Sequence, residues 1–385
     1  MKKTNPVIEN MPRSGIRVIL DEANKLEDVL HLEIGQPDFA TPDHIIEAAH
    51  QAAIDGFTGY TPNAGFGSLR EAFADHLKIE YGIHADSEQI VVTAGAMGAL
   101  FNAFSTLVSP GDEVLIPDPG YPNYSMALQF LRAKPVAYPL GFDSSQFYLD
   151  PDVIEQSITK KTKAIVLNSP SNPTGLVADE KAIIRIVEVA HKHGLYIISD
   201  EAYDHIIFNG AHHSPLKFGR EEHIIAVYSC SKTYAMTGWR VGFAVAPAEI
   251  CRLMSKLQEA YIACAPSISQ KAAEAALKGP QSCVSAMNAS YQQRRDLAIR
   301  ICSELKINCV LPNGAFYLMV ALPEPVMENS MQFSLDLVKQ SKLAVAPGIT
   351  FGERGEGFIR LALCAKESVL KEGLSRLSSV FDHKK

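Results

Sequence analysis

The sequence lacks any long uninterrupted run of apolar residues. No stretch approaches the ~20 residues that a membrane-spanning helix needs, so we expect no membrane association. Residues 1–15, MKKTNPVIENMPRSG, contain two lysines but no apolar segment behind them, which is not the pattern of a secretory signal peptide. These absences predict a cytoplasmic protein.

Cysteine pairs and metal-binding patterns are also missing. The seven cysteines are scattered and none forms a C-x-x-C pair, which argues against a disulfide framework or a structural zinc site and favours a reducing compartment. The twelve histidines show no metal-ligand spacing, so no metal is predicted. The formal net charge of −7 and the pI near 6.0 give no basic footprint, so we expect no nucleic-acid partner.

What the chain does contain is an ordinary globular composition with a clear α/β pattern. Hydrophobic residues make up 47% and charged residues 21% of 385 residues, enough apolar material for a sizeable core. Two helical patterns, at 96–108 and at 180–194, lie among short apolar runs. We predict strands in six of these runs: 89–95, 112–119, 163–170, 195–203, 223–231 and 240–246.

Continuous apolar strands separated by helices indicate a mainly parallel sheet that is covered on both faces. The two ends of the chain differ, because they mix helices with weaker strands at 315–322 and 357–364. We therefore predict a large α/β domain over residues 46–284. Residues 1–45 together with 285–385 are predicted to form a smaller α/β domain.

Several polar residues follow predicted strands, at the edge where ligands bind in open α/β sheets. Gly95 ends one strand and begins a helix, so the backbone N–H groups of Ala96 and Met97 could face an anion, although the pattern by itself is more typical of an ordinary strand-to-helix turn. Asn172 lies in NSPSNPTG, which alone is typical of a plain turn. Asp200 ends an apolar strand and needs a partner, either an arginine, a helix N-terminus or a cationic ring nitrogen.

A lysine and an arginine lie in the apolar region VYSCSKTYAMTGWRVGFAVAP, residues 227–247. A partly buried Lys232 would have a lowered pKa and could act as a nucleophile, or it could extend to solvent. Arg240 carries a planar set of donors suited to phosphate, and Ser229 and Ser231 could donate to the same group. Together with Asp200, this set matches what pyridoxal 5'-phosphate requires of a protein.

Seven segments carry a family resemblance, in the family's order. They are YTPNAGFGSLREAFA, TAGAMGAL, PDPGYPNY, NSPSNPTG, SDEAY, SCSKTYAMTGWRVG and FIRLALC. Through them the chain resembles the fold type I aminotransferases of class I and II, the aspartate aminotransferase superfamily, from about residue 30 to 380. The resemblance implies a mainly parallel seven-stranded sheet flanked by helices, with pyridoxal 5'-phosphate as the cofactor.

The resemblance also implies roles around the cofactor ring. Lys232 would form the Schiff base and carry the proton, and Asp200 would pair with the ring nitrogen. Tyr203 and Asn172 would donate to the phenolic oxygen, and Tyr121 would stack on the ring. Lys232, Asp200 and Tyr203 are therefore the predicted catalytic residues.

Phosphate and substrate groups are assigned in the same way. The phosphate would be held by Gly95, Ala96, Met97, Ser229, Ser231 and Arg240. Arg360 would bind the substrate α-carboxylate beside Gly35 and Asn172. Without the resemblance, Arg360 is only an arginine in an apolar strand, and a structural aspartate could supply the anion that its charge needs. Tyr60 resembles the tyrosine that reaches the phosphate of the neighbouring subunit, which predicts a homodimer with shared active sites.

The implied activity is transfer of an amino group from an L-amino acid to a 2-oxo acid. A lyase, such as a carbon–sulfur lyase, would use the same binding residues and remains an alternative. A non-enzymatic regulator would need an additional basic domain before the segments that resemble the family, where only about 30 residues lie. A purely structural protein would not need the polar residues assigned above to the cofactor and substrate. The pocket for the substrate side chain is expected near residues 14–16, Tyr60, Met97 and Tyr121. No clear second cation for a distal substrate carboxylate is visible, which favours neutral or aromatic amino donors over dicarboxylates.

Overall fold

The computed structural model describes residues 4–219, 223–324 and 326–383. The α-helices are α1 Pro6–Glu9, α2 Gly15–Ala23, α3 Asp43–Ile54, α4 Gly67–Tyr81, α5 Gly95–Leu107, α6 Pro122–Phe130, α7 Pro151–Gln156, α8 Glu180–His193, α9 Cys230–Thr233, α10 Ala248–Tyr261, α11 Ser267–Lys278, α12 Ser282–Glu304, α13 Ser330–Ser341 and α14 Glu367–His383. The strands are β1 Leu30–His31, β2 Ile90–Thr93, β3 Glu113–Asp118, β4 Lys134–Pro139, β5 Gly141–Phe142, β6 Phe147–Tyr148, β7 Thr162–Asn168, β8 Tyr196–Asp200, β9 Ile224–Ser229, β10 Gly242–Val245, β11 Tyr317–Ala321, β12 Leu343–Ala344, β13 Ala346–Pro347 and β14 Phe358–Ala362.

The central sheet has seven strands in the order β2-β10-β9-β8-β7-β3-β4. Strand β10 is antiparallel to both of its neighbours, and the other adjacent pairs are parallel. The predicted mainly parallel, seven-stranded α/β sheet is therefore confirmed, and all six strands expected from apolar runs are present. Strand β4 gives no such run because its sequence, KPVAYP, contains two prolines, which edge strands tolerate.

Helices cover both faces of this sheet because successive strand residues point to opposite sides. On β9 and β10, Tyr228 and Phe243 pack against α3, α4 and α11. Their neighbours Val227 and Ala244 pack on the other side against α5, α6 and α10. Both faces are thus buried, and the polar side chains Asn168, Asp200 and Ser229 end the parallel strands β7, β8 and β9 at one edge of the sheet.

The two ends of the chain lie together beside this sheet. Strand β1 pairs in parallel with β12, which matches Leu30 with Leu343. Strands β11, β14 and β13 form a separate antiparallel sheet. Its core joins Leu32 to Leu361 and to residues of α12 and α14. The domain bounds at 45/46 and 284/285 stay a prediction.

The described ranges contain no helix that combines the length and the apolarity needed to cross a membrane.

Helix α8 shows how local sequence sets an element's limits. The side chain of Asp179 accepts a hydrogen bond from the Ala182 backbone N–H at 2.8 Å, which satisfies a donor left free at the helix start. The helix ends at His193, and the next residue, Gly194, has a φ of 65°, in the left-handed region that glycine adopts readily.

We expect Asp179→Ala to lower the free energy of unfolding by ~1 kcal/mol, because the backbone donor at the start of α8 loses its partner. Urea denaturation followed by far-ultraviolet circular dichroism measures the change. The matched control is Lys181→Ala, an exposed residue of the first turn, which should stay within ~0.5 kcal/mol of the parent protein. Equal values for the two variants would contradict this account of the cap.

Candidate active site

The carboxyl ends of β7, β8 and β9 open into a cavity of about 550 Å³ that is also lined by residues from both ends of the chain. Twelve of the fourteen residues predicted for the site line this cavity. They are Gly35, Ala96, Met97, Tyr121, Asn172, Asp200, Tyr203, Ser229, Ser231, Lys232, Arg240 and Arg360. The central sheet and the segments that follow its strands bring together the lining residues from the middle of the chain. Gly35, which follows β1, and Arg360, on β14, come from the two ends of the chain.

Lys232 lies on the single-turn helix α9, directly after β9. The Ser229 hydroxyl accepts from the Ser231 backbone N–H at 3.1 Å and caps this turn. The Lys232 Nζ donates to the Gly35 carbonyl at 2.6 Å. Burial lowers the pKa of Lys232 to about 8, since the charged amine is poorly solvated there. Near neutral pH the neutral, nucleophilic form of this amine is therefore far more populated than it is for an exposed lysine.

Asp200 ends β8 and is only 5% exposed. Its carboxylate accepts from the Tyr124 hydroxyl at 2.6 Å and from the Ala202 backbone N–H at 3.2 Å. Among the described residues it has no ion-pair partner, and burial raises its pKa to about 6. A buried carboxylate in this state favours a cationic group in the cavity beside it.

Arg360 on β14 is 1% exposed, yet within the described ranges it has no carboxylate partner. Its guanidinium donates to Asn172 Oδ1 at 2.9 Å and to the Glu33 carbonyl, and Nε has no partner. The guanidinium carbon lies 4.2 Å from the centre of the Tyr317 ring and 4.8 Å from that of Phe351. The structural aspartate considered from the sequence is absent from this part of the chain, so the site is suited to an anionic ligand.

A second anion-favouring region lies where α5 begins. Arg240 donates to the Thr237 carbonyl at 2.9 Å and to the Ala94 carbonyl at 3.3 Å. Gly95 has a φ of 74°, and a Cβ built there would lie 2.6 Å from Nη2 of Arg240. Only glycine permits this approach, which places a guanidinium at the positive end of the α5 dipole. Ser229 and Ser231 line the same cavity.

Some predicted residues take other positions or partners. Gly95 supports Arg240 but is not itself a lining residue, and Tyr60 is 93% exposed and outside the cavity. The Tyr203 hydroxyl lies 2.8 Å from the Tyr317 hydroxyl. The Tyr121 hydroxyl accepts from Asn123 at 2.9 Å. The proposed contacts of these tyrosines with a cofactor stay predictions.

Sequence reasoning missed four supporting residues and two arginines. Asn168, Tyr124, Tyr317 and Glu33 contact the groups above. Two of them lie in segments that carried the resemblance, Asn168 in NSPSNPTG and Tyr124 in PDPGYPNY. The expectation of no second cation is wrong: Arg13 and Arg17 also line the cavity. They directly flank residues 14–16, which were expected near the side-chain pocket, but they lie outside every segment that carried the resemblance.

The charges of the cavity define what it can bind. Lys232, Arg240 and Arg360 face it with no carboxylate partner among the described residues, and Asp200 faces it with no cation. In the same part of the chain, no group of three or more histidine, cysteine or acidic side chains could hold a metal ion. The arrangement therefore fits a ligand set with two anionic groups and one cationic group, next to a nucleophilic amine.

Comparisons with known proteins agree with this chemistry. A profile of the family described as "Aminotransferase class I and II" matches residues 27–377. An aspartate aminotransferase of Pyrococcus horikoshii is 39% identical over 97% of this chain and 96% of its own length. An aromatic-amino-acid aminotransferase of Thermococcus litoralis is 36% identical over 98% of each chain. A solved aspartate aminotransferase from Thermus thermophilus with maleate superposes with a TM-score of 0.94, at 32% identity, over 99% of this chain and 100% of that one.

We expect Asp200→Asn to stabilise the ligand-free protein at high pH only. In the unfolded chain an aspartate has a pKa of ~3.9, whereas the folded pKa is about 6, so the buried charge destabilises the fold by ~3 kcal/mol once the pH is well above 6. The amide removes this charge and can still accept from Tyr124. The stability gain should therefore be full near pH 8 and vanish below pH ~4.

Urea denaturation of the ligand-free protein between pH 4 and pH 8 measures this difference. Asp75→Asn, an exposed position on α4, is the matched control and should show no such pH-dependent gain. A gain for Asp200→Asn that is the same at every pH would mean that burial of the carboxylate charge is not its cause.

Proposed function

Because this chain belongs to the class I and II aminotransferases and transfers an amino group from an amino acid to a 2-oxo acid, we propose that the cavity around Lys232 is its active site and pyridoxal 5'-phosphate its cofactor. The observation that carries the proposal is a set of buried or half-buried charges around one cavity, Lys232, Asp200 and Arg360, for which the described residues supply no counter-ion. Burying such charges is unfavourable unless a ligand compensates them.

The residues present fit this cofactor. Lys232 offers a largely desolvated amine as the covalent attachment point, and Asp200 lacks the cation that a protonated ring nitrogen would supply. Arg240 and the N-terminus of α5, with Ser229 and Ser231, would hold the phosphate. Tyr121, Tyr203 and Asn172 line the cavity and would contact the ring.

When bound, pyridoxal 5'-phosphate withdraws electrons from the amino acid's Cα through its conjugated ring. Arg360 would bind the α-carboxylate with Asn172 beside it, so that the amino acid is oriented before any proton moves. The Lys232 amine, with a pKa of about 8, would take the proton from Cα and return it to a neighbouring carbon. The Asp200 carboxylate would keep a proton on the ring nitrogen throughout.

A lyase would use the same binding residues, so the distinction rests on the second substrate. The relatives and the solved structure described above are named as aminotransferases, which favours transfer. Their names point to both acidic and aromatic substrates.

We also propose that the chain acts as a homodimer in the cytoplasm. Tyr60 is an exposed aromatic residue outside its own cavity, as expected for a side chain that reaches a partner's phosphate site. Free thiols at all seven cysteines suit a reducing compartment. Within each subunit, residues 46–284 would hold the cofactor, while residues 1–45 and 285–385 would supply the substrate-binding Gly35 and Arg360.

We expect Lys232→Ala to lower turnover by ~10²–10⁴-fold or more, because the general base is lost. The cofactor should still bind this variant non-covalently. Turnover is measured with a panel of amino donors and 2-oxoglutarate or pyruvate, and bound cofactor by its visible absorbance. The control is the exposed-lysine variant Lys181→Ala. Near-normal turnover by Lys232→Ala would refute the assignment, and continued product formation without any oxo acid would identify a lyase.

The shared-site arrangement predicts complementation between two defective chains. We expect sedimentation to give twice the chain mass of 42.0 kDa, and Tyr60→Ala to weaken phosphate binding. A hybrid of one Tyr60→Ala chain and one Lys232→Ala chain contains one site with both residues intact. Purified through two different tags, it should be more active than either parent. A monomeric mass, or a hybrid no better than its parents, would rule this out.

A further inference from the structure

Tyr317 is the first residue of β11, and its buried side chain lines the cavity. Strand β11 is antiparallel to β14, and Tyr317 lies opposite Ala362. Because alternate residues of a strand point to the same face, Arg360, two residues before Ala362, shares that face with Tyr317. The two side chains are therefore diagonal neighbours across the pair of strands, at a separation that an aromatic ring and an arginine can span.

The ring of Tyr317 supports the guanidinium of Arg360 without neutralising it. The guanidinium carbon lies 4.2 Å from the centre of the ring. A ring face attracts a cation through its quadrupole but carries no net charge, so the guanidinium is held in place while its charge stays available to an anion. Phe351 makes a second contact of this kind, at 4.8 Å.

The hydroxyl of Tyr317 has a different partner, the hydroxyl of Tyr203. The two oxygens lie 2.8 Å apart, and neither has another hydrogen-bond partner among the described residues. Burial raises the pKa of both hydroxyls, so each keeps its proton at neutral pH. When Tyr203 donates its one proton to a ligand oxygen in the cavity, the proton between the two tyrosines must come from Tyr317.

Gly35 allows the Tyr317 hydroxyl to lie where it does. A Cβ built at Gly35 would collide with this hydroxyl, so the missing side chain lets the hydroxyl approach the backbone. The carbonyl of Gly35 in turn accepts from Lys232. One side chain thus lies against three of the residues predicted for the site: Gly35, Tyr203 and Arg360. Its hydroxyl and its ring have different partners, so mutation can separate their effects.

We propose that Tyr317 is a positioning residue with two roles: its hydroxyl donates to Tyr203 and keeps the Tyr203 proton directed at the phenolic oxygen of the cofactor, and its ring holds the Arg360 guanidinium ready for the α-carboxylate. This inference rests on the proposed function, which assigns the cofactor to Tyr203 and the carboxylate to Arg360. The first role acts on the chemical step, because a fixed donor stabilises charge without reorganising. The second role acts on binding.

The kinetic test compares Tyr317→Phe, which loses only the hydroxyl, with Tyr317→Leu, which loses the hydroxyl and the ring. We expect Tyr317→Phe to lower kcat by ~3–10-fold, the size of one hydrogen bond, and to change KM for the amino donor by less than ~2-fold. Tyr317→Leu should lower kcat similarly and also raise KM by ~3–10-fold, the size of a cation–π contact. The matched control is Tyr138→Phe, which removes a buried hydroxyl that donates to the Val166 carbonyl outside the cavity, and it should change neither constant.

The variant Tyr203→Phe separates positioning from a general structural effect. If the Tyr317 hydroxyl acts only through Tyr203, the double variant Tyr203→Phe/Tyr317→Phe should have the kcat of Tyr203→Phe alone, within ~2-fold. The visible absorbance of the bound cofactor, followed against pH, should change at a higher pH in Tyr317→Phe than in the parent protein, because a weaker donor to the phenolic oxygen makes the cofactor's linkage to Lys232 more basic. Tyr203→Phe should shift this profile in the same direction and further. Effects that multiply in the double variant, or an unshifted profile in Tyr317→Phe, would overturn the role of the hydroxyl.

A binding test examines the ring without the reaction, using propanoate, which has a carboxylate but no amino group. Calorimetric titration of the full chain should show propanoate binding that is ~3–10-fold weaker in Tyr317→Leu, changed by less than ~2-fold in Tyr317→Phe and lost in Arg360→Met. Urea denaturation checks that each variant is folded, and Tyr317→Met repeats the measurement with another side chain that has no ring. Equal affinities of the Phe variant and the ringless variants would overturn the role of the ring. A parent protein that neither binds pyridoxal 5'-phosphate nor transfers an amino group would instead refute the proposed function, and the propanoate result would still decide the role of the ring.

Discussion

A buried arginine that has no carboxylate partner in the described part of the chain organises this molecule. Arg360 joins three separate parts of the chain: its own strand β14, the loop at Asn172 that follows β7, and the carbonyl of Glu33. Neutral acceptors and the faces of two aromatic rings hold the guanidinium but do not neutralise it. The fold therefore holds a cation where an anionic group of a ligand could neutralise it. The loop that contains Asn172 and the sheet that contains β14 meet at this cation.

Burial acts on the two reactive groups in opposite directions. It raises the pKa of Asp200 to about 6 and lowers that of Lys232 to about 8, because in each case the charged form is poorly solvated. The same cavity thus brings a carboxylate and an amine closer to neutrality without pairing them with each other. The energy stored in these unpaired groups is available to a ligand that supplies the missing partners.

Function in this architecture is divided along the chain. The middle of the sequence contributes groups at the carboxyl ends of parallel strands, where their common direction gathers them at one edge. The two ends contribute Gly35, Arg17 and Arg360, which reach the cavity only because β1 pairs with β12 and β13 pairs with β14. Tyr317 also comes from the second end, and its contacts with Tyr203 and Arg360 join the two sets of groups.

Local sequence determined the apolar strands, the limits of α8 and the positions of Lys232, Asp200 and Arg360, because each depends on periodicity or on a short motif. Strand β4 was not predicted, because its two prolines interrupt the apolar pattern. Its pairing with β3 identifies it as an edge strand. Tertiary structure alone decided that Tyr124 donates to Asp200, that Arg360 has no carboxylate partner among the described residues, and that Arg13 and Arg17 both line the cavity. These contacts join residues far apart in sequence, and no local pattern encodes which distant side chains packing will bring together or leave without a partner.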